Sequence, residues 1–279
     1  MIIAKIHNVY KSLTATEQRI ASYILENPTK AISMSISQLA EKCTSAPSAV
    51  NRMCKSLGVD GFARLKIELA GDVAKEHTAA KLPLLGKDRG PKTIFHQVFN
   101  SGIGTLKNTL EMLDFECVKA IADKISKAPR TLIFGVGTSS VIASDAAYRF
   151  SQLGIEAYAY SDILQMNVMA MNMKKGEVAI GISHSGDTKA VVDAIRHAKS
   201  AGASSVALSS FSKSFLCREA DRKIVVFADE ENYPIEAVSA RVAHMCVVDA
   251  LMMTLASIKY ENFEEHIQIR NKALEEMRY

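Results

Sequence analysis

Thr131-Leu132-Ile133-Phe134-Gly135-Val136-Gly137-Thr138-Ser139-Ser140 and Val178-Ala179-Ile180-Gly181-Ile182-Ser183-His184-Ser185-Gly186-Asp187-Thr188 share one plan. Each runs from a short apolar strand into a turn of glycine, serine and threonine, and then into a helical pattern. Small residues let the backbone approach an anion closely, while hydroxyls and the N–H groups of a helix N-terminus supply hydrogen bonds. Two such turns in one strand–helix unit predict one phosphorylated ligand gripped from two sides. Gly135-x-Gly137 alone does not specify a dinucleotide. That ligand needs a third glycine and an acidic residue about 20 positions on, and no third glycine follows in this turn. The second turn is more specific. Ser183, Ser185 and Thr188 put three hydroxyls around one turn at a helix start, where simple N-capping would use one.

Around these turns the pattern alternates: strand 131–136, helix 139–153, strand 155–160, helix 162–173, strand 177–182, helix 187–201, strand 204–209, short helix 213–219, strand 222–227 and helix 238–258. Such alternation implies an α/β domain, a parallel sheet with helices on both faces. Ligands of these sheets bind beyond the carboxyl ends of the strands, where both turns fall. Helical patterns also cover 93–113 and 115–127, and a charged amphipathic helix is expected over 262–277. Lys81 to Pro91, with two Pro and two Gly, reads as a linker.

Residues 1–80 read as helices only. Thr14 with Glu17 three residues on is a capping-box signature, and that helix stops at Asn27-Pro28. A second helix begins near Ser35. Pro47 suits the first turn of a third, where its missing N–H costs nothing; Gly58 ends it, and a fourth starts near Phe62. Two short helices across a tight turn fit a helix-turn-helix. The polar face of the third helix carries Ser48, Asn51, Arg52 and Lys55, residue types that read base edges, and Arg64 and Lys66 are suited to phosphates. A plain helical bundle with a solvated polar face would show the same pattern. The domain plan is therefore 1–80 all-helical, 81–92 linker and 93–279 α/β.

Bulk properties narrow the class. The hydrophobic fraction is 48% and the charged fraction 23%, ordinary for a soluble globular chain. Trp is absent and aromatics make up 6%, which disfavours a sugar-binding surface of stacked rings. Five scattered cysteines without C-x-x-C spacing argue against a zinc site or disulfide framework and fit a reducing cytoplasm. No signal-peptide layout or uncharged membrane-length run is visible. Residues 1–80 hold ten Lys/Arg against seven Asp/Glu, most of the net charge of +4 and permissive of nucleic-acid binding.

The run Leu13-Thr14-x-x-Glu17, Ser35-Ile36-x-x-Leu39-Ala40 and Val50-x-Arg52-x-Cys54-x-x-Leu57-Gly58-x-x-Gly61-Phe62 resembles the N-terminal domain of the RpiR (MurR/RpiR) family of bacterial transcriptional regulators. The family's turn usually reads Val-Ser-x-x-Thr-Val. Here Ala46 and Ala49 replace the N-cap serine and the helix threonine, removing two hydroxyls suited to DNA. The α/β part, about residues 95–260, resembles the sugar isomerase (SIS) domain through Gly135-x-Gly137-Thr138-Ser139, Ser183-x-Ser185-Gly186-Asp187-Thr188 and Ser239-x-Arg241…Asp249-Ala250-Leu251. That likeness implies a doubly wound parallel sheet and a sugar-phosphate site at Gly137, Thr138, Ser139, Ser140, Ser183, His184, Ser185 and Thr188. Asp187 stands where the family more often has Glu. The combination implies a cytoplasmic regulator of carbohydrate metabolism, binding double-stranded operator DNA as a homodimer or homotetramer and sensing a phosphorylated sugar or amino sugar, with no metal, other cofactor or membrane partner.

An isomerase with an accessory helical domain is the enzymatic alternative. Aldose–ketose isomerisation needs a general base and a ring-opening acid, and Glu236 lies where SIS isomerases place a catalytic Glu, with His197 and His244 further candidates. Helix capping accounts for Glu236 equally well. A sugar-phosphate binder without DNA affinity, suggested by Ala46 and Ala49, is a third reading.

Overall fold

A computed structural model describes residues 2–76, 90–228 and 238–277. The chain divides into two compact units, Met1–Glu111 with Phe227–Ala237, and Met112–Val226 with Val238–Tyr279.

The first unit opens with α1 (Ile2–Val9), which the sequence reading did not single out. Ile2, Ile3, Ile6 and Val9 bury one stripe of it, and the buried carboxylate of Asp72 accepts the Ile3 N–H at 3.0 Å. An anion is favoured at that helix end. After a 3-10 turn, α2 (Ala15–Glu26) starts at Thr14. Its capping box is complete: the Glu17 N–H donates to Thr14 Oγ1 at 3.4 Å and the Thr14 N–H to Glu17 Oε2 at 2.9 Å. Asn27-Pro28 does end α2, but Pro28 also opens a short helix, α3 (Pro28–Ser33). A proline at the first helical position both stops one helix and starts the next. Then come α4 (Ile36–Lys42), α5 (Pro47–Ser56) and α6 (Gly61–Glu76). Ser35 and Gln38 form a second capping box at the start of α4.

The α4–α5 turn is held from outside. The Arg19 guanidinium donates to the Thr44 carbonyl at 3.3 Å, and the Ser45 N–H to the Ala40 carbonyl at 2.9 Å. Gly58, at φ +69°, terminates α5 in the left-handed region that glycine reaches without strain. Ile6, Ile20, Ile24, Leu39, Val50, Met53, Cys54, Leu65 and Leu69 form one core. Helix α7 (Pro91–Met112), expected with the α/β domain, groups with this unit. The Phe227 N–H donates to Thr109 Oγ1 of α7 at 3.0 Å, and the Phe227 ring meets His7 of α1 edge-on at 5.9 Å.

In the second unit α8 (Phe115–Lys127) precedes β1 (Thr131–Phe134), α9 (Thr138–Ser151), β2 (Ala157–Tyr160), α10 (Ile163–Met171), β3 (Val178–Ile182), α11 (Lys189–Ser200), β4 (Ser204–Ser209), α12 (Phe215–Glu219), β5 (Arg222–Val225), α13 (Val238–Ile258) and α14 (Tyr260–Glu276). The five strands are parallel, in the order β2-β1-β3-β4-β5. Every residue of β1 and β3 is buried, as a sheet covered on both faces requires. Arg130 grips Glu177 through two hydrogen bonds of 3.0 and 2.9 Å, clamping together the starts of the two central strands. Strand β1 is shorter than expected because Gly135 already belongs to the turn. Among the described residues one helix, Ser239–Ile258, is long and apolar enough to cross a membrane by length and composition. Arg241 and Asp249 interrupt that run, and Asp249 pairs with Arg149 of α9 at 2.9 Å. Ala240, Ala243, Val247, Leu251 and Leu255 are its buried stripe, and it packs on α8 and α9.

Ala46 already has the extended N-cap backbone, φ −98° and ψ 153°, without a side-chain cap bond. Ala46→Ser is expected to stabilise α5 by about 1 kcal/mol, read as slower amide hydrogen exchange along α5. Unchanged or faster exchange would contradict the assignment of Ala46 as a missing cap.

Candidate functional site

The strand order reverses between β1 and β3. The chain steps from β1 outward to β2, then crosses to β3 on the other side of β1. The crevice at such a switch point, beyond the carboxyl ends, is where doubly wound sheets take ligands. Phe134 pairs in register with Gly181, so both hydroxyl-rich turns leave the sheet side by side.

The first turn is built on Gly135 and Gly137. A β-carbon on Gly135 would stand 2.7 Å from the Ser139 carbonyl oxygen, so the chain doubles back here only without a side chain. Gly137, at φ +58°, is the N-cap of α9 and offers no side chain to its first-turn amides. Ser140 Oγ donates to the Gly137 carbonyl at 2.7 Å and so braces the turn. Among the described residues, the hydroxyls of Thr138 and Ser139 have no hydrogen-bond partner in the protein.

The second turn is tighter. Ser183 is 2% exposed; its hydroxyl lies 3.0 Å from Thr188 Oγ1 and accepts the Gly186 N–H at 3.1 Å. Ser185 Oγ accepts the Asp187 N–H at 3.2 Å. Thr188 is the N-cap of α11, yet its hydroxyl faces Ser183 and makes no side-chain cap bond. The positive end of α11 is therefore open toward the same crevice as that of α9. Asp187 is committed structurally: its Oδ1 accepts the Phe215 N–H at 3.0 Å, at the start of α12.

Beneath this turn lies a layer that the sequence reading did not identify. Ser209 Oγ donates to the His184 carbonyl at 3.2 Å, and Ser210 Oγ lies 2.8 Å from His184 Nδ1. Gly186 has φ +66°, and a β-carbon there would overlap the Ser214 side chain and stand 2.7 Å from Ser209 Oγ. The signal was present as Ser209-Ser210-x-Ser212-x-Ser214, a third hydroxyl run at a strand end. The His184 ring meets Phe211 at 5.8 Å and His244 at 6.2 Å, edge-on in both cases. Burial, and then the neighbouring His184, push the His244 pKa down to about 4 against a backbone bond to Ala240. His197 lies on α11 and Glu236 outside the described residues.

The DNA-reading candidates Ser48, Asn51, Arg52 and Lys55 all lie exposed on α5, whose opposite face carries the buried Ala49, Val50, Met53 and Cys54. Lys66 is drawn inward instead. Its ammonium donates to the Met34 carbonyl at 3.1 Å and sits 5.4 Å from the centre of the Phe62 ring, so it ties α6 to the end of α3. Arg64 pairs with Glu68 at 3.4 Å.

The family model described as helix-turn-helix domain, rpiR family matches residues 1–76, and the SIS domain model matches residues 124–254. An HTH-type transcriptional regulator of Caldanaerobacter subterraneus is 32% identical over 273 residues, spanning 98% of this chain and 96% of that protein. This chain belongs to the RpiR family of helix-turn-helix transcriptional regulators. HexR of Escherichia coli is 27% identical to this RpiR-family chain over 278 residues, spanning 100% of this chain and 96% of HexR. The fold is shared with the Vibrio vulnificus NanR protein, solved in complex with ManNAc-6P, at a TM-score of 0.64 and 21% identity over 100% of both chains.

Gly186→Ala in this regulator is expected to displace the Ser183–Thr188 turn from Ser209 and Ser214, costing about 2 kcal/mol and weakening anion binding at the crevice. Chemical denaturation and phosphate titration check both, and retained stability would contradict the packing described. The buried His244 ring stays neutral in the fold, whereas the unfolded chain protonates it near pH 6.5. Its contribution is intact above that pH and is lost as pH falls toward about 4. About 2 kcal/mol should disappear between pH 7 and pH 5, and His244→Gln should flatten that slope in urea melts. An unchanged slope would contradict it.

Proposed function

We propose that this regulator binds operator DNA through α5 and controls carbohydrate metabolism in response to a sugar phosphate held between the two hydroxyl-rich turns. The carrying observation is the pair of helix N-termini, α9 and α11, that lack side-chain caps and flank one strand switch point. A phosphate there meets two positive helix ends and the hydroxyls of Thr138, Ser139, Ser183, Ser185 and Thr188. That NanR was solved with an amino-sugar phosphate supports the ligand class. Residues 1–80 serve as the DNA-reading part, with Ser48, Asn51, Arg52 and Lys55 on the reading face, and the α/β domain is the sensor. Helix-turn-helix operators come in two halves, so the active form is a homodimer or a larger symmetric assembly. The protein acts in the cytoplasm, where its five free cysteines stay reduced.

The sensor reading is preferred to an isomerase on two grounds. The fused helix-turn-helix gives effector binding an output, and relatives spanning the whole chain are named transcriptional regulators. For the effector to act, it must bind one quaternary state more tightly than another.

The test is a thermal-shift screen of hexose, pentose and amino-sugar phosphates on the full chain, repeated with Ser183→Ala/Ser185→Ala. A true effector at 100 times its Kd stabilises the protein by about 2.7 kcal/mol, and the double variant loses that gain. The same compound should alter recovery of discrete sites from fragmented genomic DNA. Turnover of the compound, or stabilisation that survives the double substitution, would overturn the reading.

A further inference from the structure

His244 is 2% exposed on α13, and its Nδ1 lies 2.8 Å from the Ala240 carbonyl oxygen. A carbonyl only accepts, so Nδ1 carries the ring proton and Nε2 carries a lone pair. Among the described residues that Nε2 is fully buried with no hydrogen-bond partner. Ser239 Oγ, in the first turn of the same helix, is also buried and unpartnered. Buried polar atoms are normally satisfied, and each exception calls for a ligand, water or ion. The place is specific. The His244 ring lies 6.2 Å from the His184 ring at 84°, and His184 sits inside the Ser183–Thr188 turn.

We propose that His244 Nε2 accepts a hydrogen bond from a hydroxyl or N–H donor on the carbohydrate part of the effector, and so reads the sugar while the turn holds its phosphate. This rests on the phosphate-site reading above. The division of labour follows from chemistry. The turn offers hydroxyls and helix N–H groups, which suit phosphate oxygens of any ester. An acceptor nitrogen whose other face is locked to the helix backbone repels a phosphate and rewards a donor. Neutrality near pH 7 keeps that lone pair available, since burial and His184 both oppose protonation. A site with a buried unpaired acceptor also rejects an analogue lacking the matching hydroxyl.

The experiment is calorimetric titration of the full chain with inorganic phosphate, and then with the sugar phosphate that stabilises it and its singly deoxygenated analogues. His244→Leu should bind inorganic phosphate as the wild type does and lose the sugar phosphate by about tenfold or more. His244→Gln, which keeps an acceptor, should recover most of the loss. One deoxy analogue should bind the wild type as weakly as the parent compound binds His244→Leu. Should His244→Leu not fold, nitrogen NMR of histidine-labelled wild type gives the same decision. The Nε2 resonance should move on saturation with the sugar phosphate and stay in place with inorganic phosphate. Equal sugar-phosphate affinity in wild type and His244→Leu, or a stationary Nε2 resonance, overturns the proposal and leaves the phosphate site standing. Wild type that takes neither phosphate nor any sugar phosphate overturns both.

Discussion

The turn after β3 can be built only around a residue that lacks a β-carbon. Gly186 occupies the left-handed region with the Ser209 and Ser214 side chains against its Cα, and its own carbonyl accepts the Leu216 N–H at 2.8 Å. That contact fixes how far the chain descends before α11 begins. It sets Ser183 opposite Thr188, frees the α11 amides from a side-chain cap, and aims Asp187 at the start of α12. Gly135 plays the matching part after β1. The two glycines let the chain turn into two helices whose N-termini lack side-chain caps, and such helix ends favour an anion.

The sheet supplies the rest of the positioning. Parallel strands in the order β2-β1-β3-β4-β5 bring the ends of β1 and β3 together although the paired residues Phe134 and Gly181 lie 47 positions apart in sequence. The Arg130–Glu177 clamp at the opposite end of the same two strands limits their sliding. Rigid elements thus carry both turns.

Much of this was legible in the sequence because the signals were local. Thr14 with Glu17, Pro47 and Gly58 are stop and start signs read within one helical turn, and the structure places each where its chemistry predicts. That Ser183, Ser185 and Thr188 share one turn at a helix start was likewise readable from spacing. What was missed depended on distance along the chain. The Ser209–Ser214 layer reaches the turn only through β3–β4 pairing. Lys66 was read as a phosphate contact because its partner, the Met34 carbonyl, lies 32 residues away. Helix α3 was missed because Pro28 is both terminator and first residue. The placement of α7 with the first unit turns on Thr109 meeting Phe227, which no pattern announces. His244 looked like one of several histidines until its burial beside His184 separated it from His197, whose Nδ1 is likewise buried and unpartnered among the described residues.

The central claim is that one phosphate bridges the two turns, and backbone amide NMR of the labelled full chain tests it most directly. Adding the effector should shift the amides of Thr138, Ser139 and Ser140 together with those of Ser185 through Ala190, with one common titration midpoint. Shifts confined to one turn, or absent from both while the effector binds elsewhere, would contradict the account.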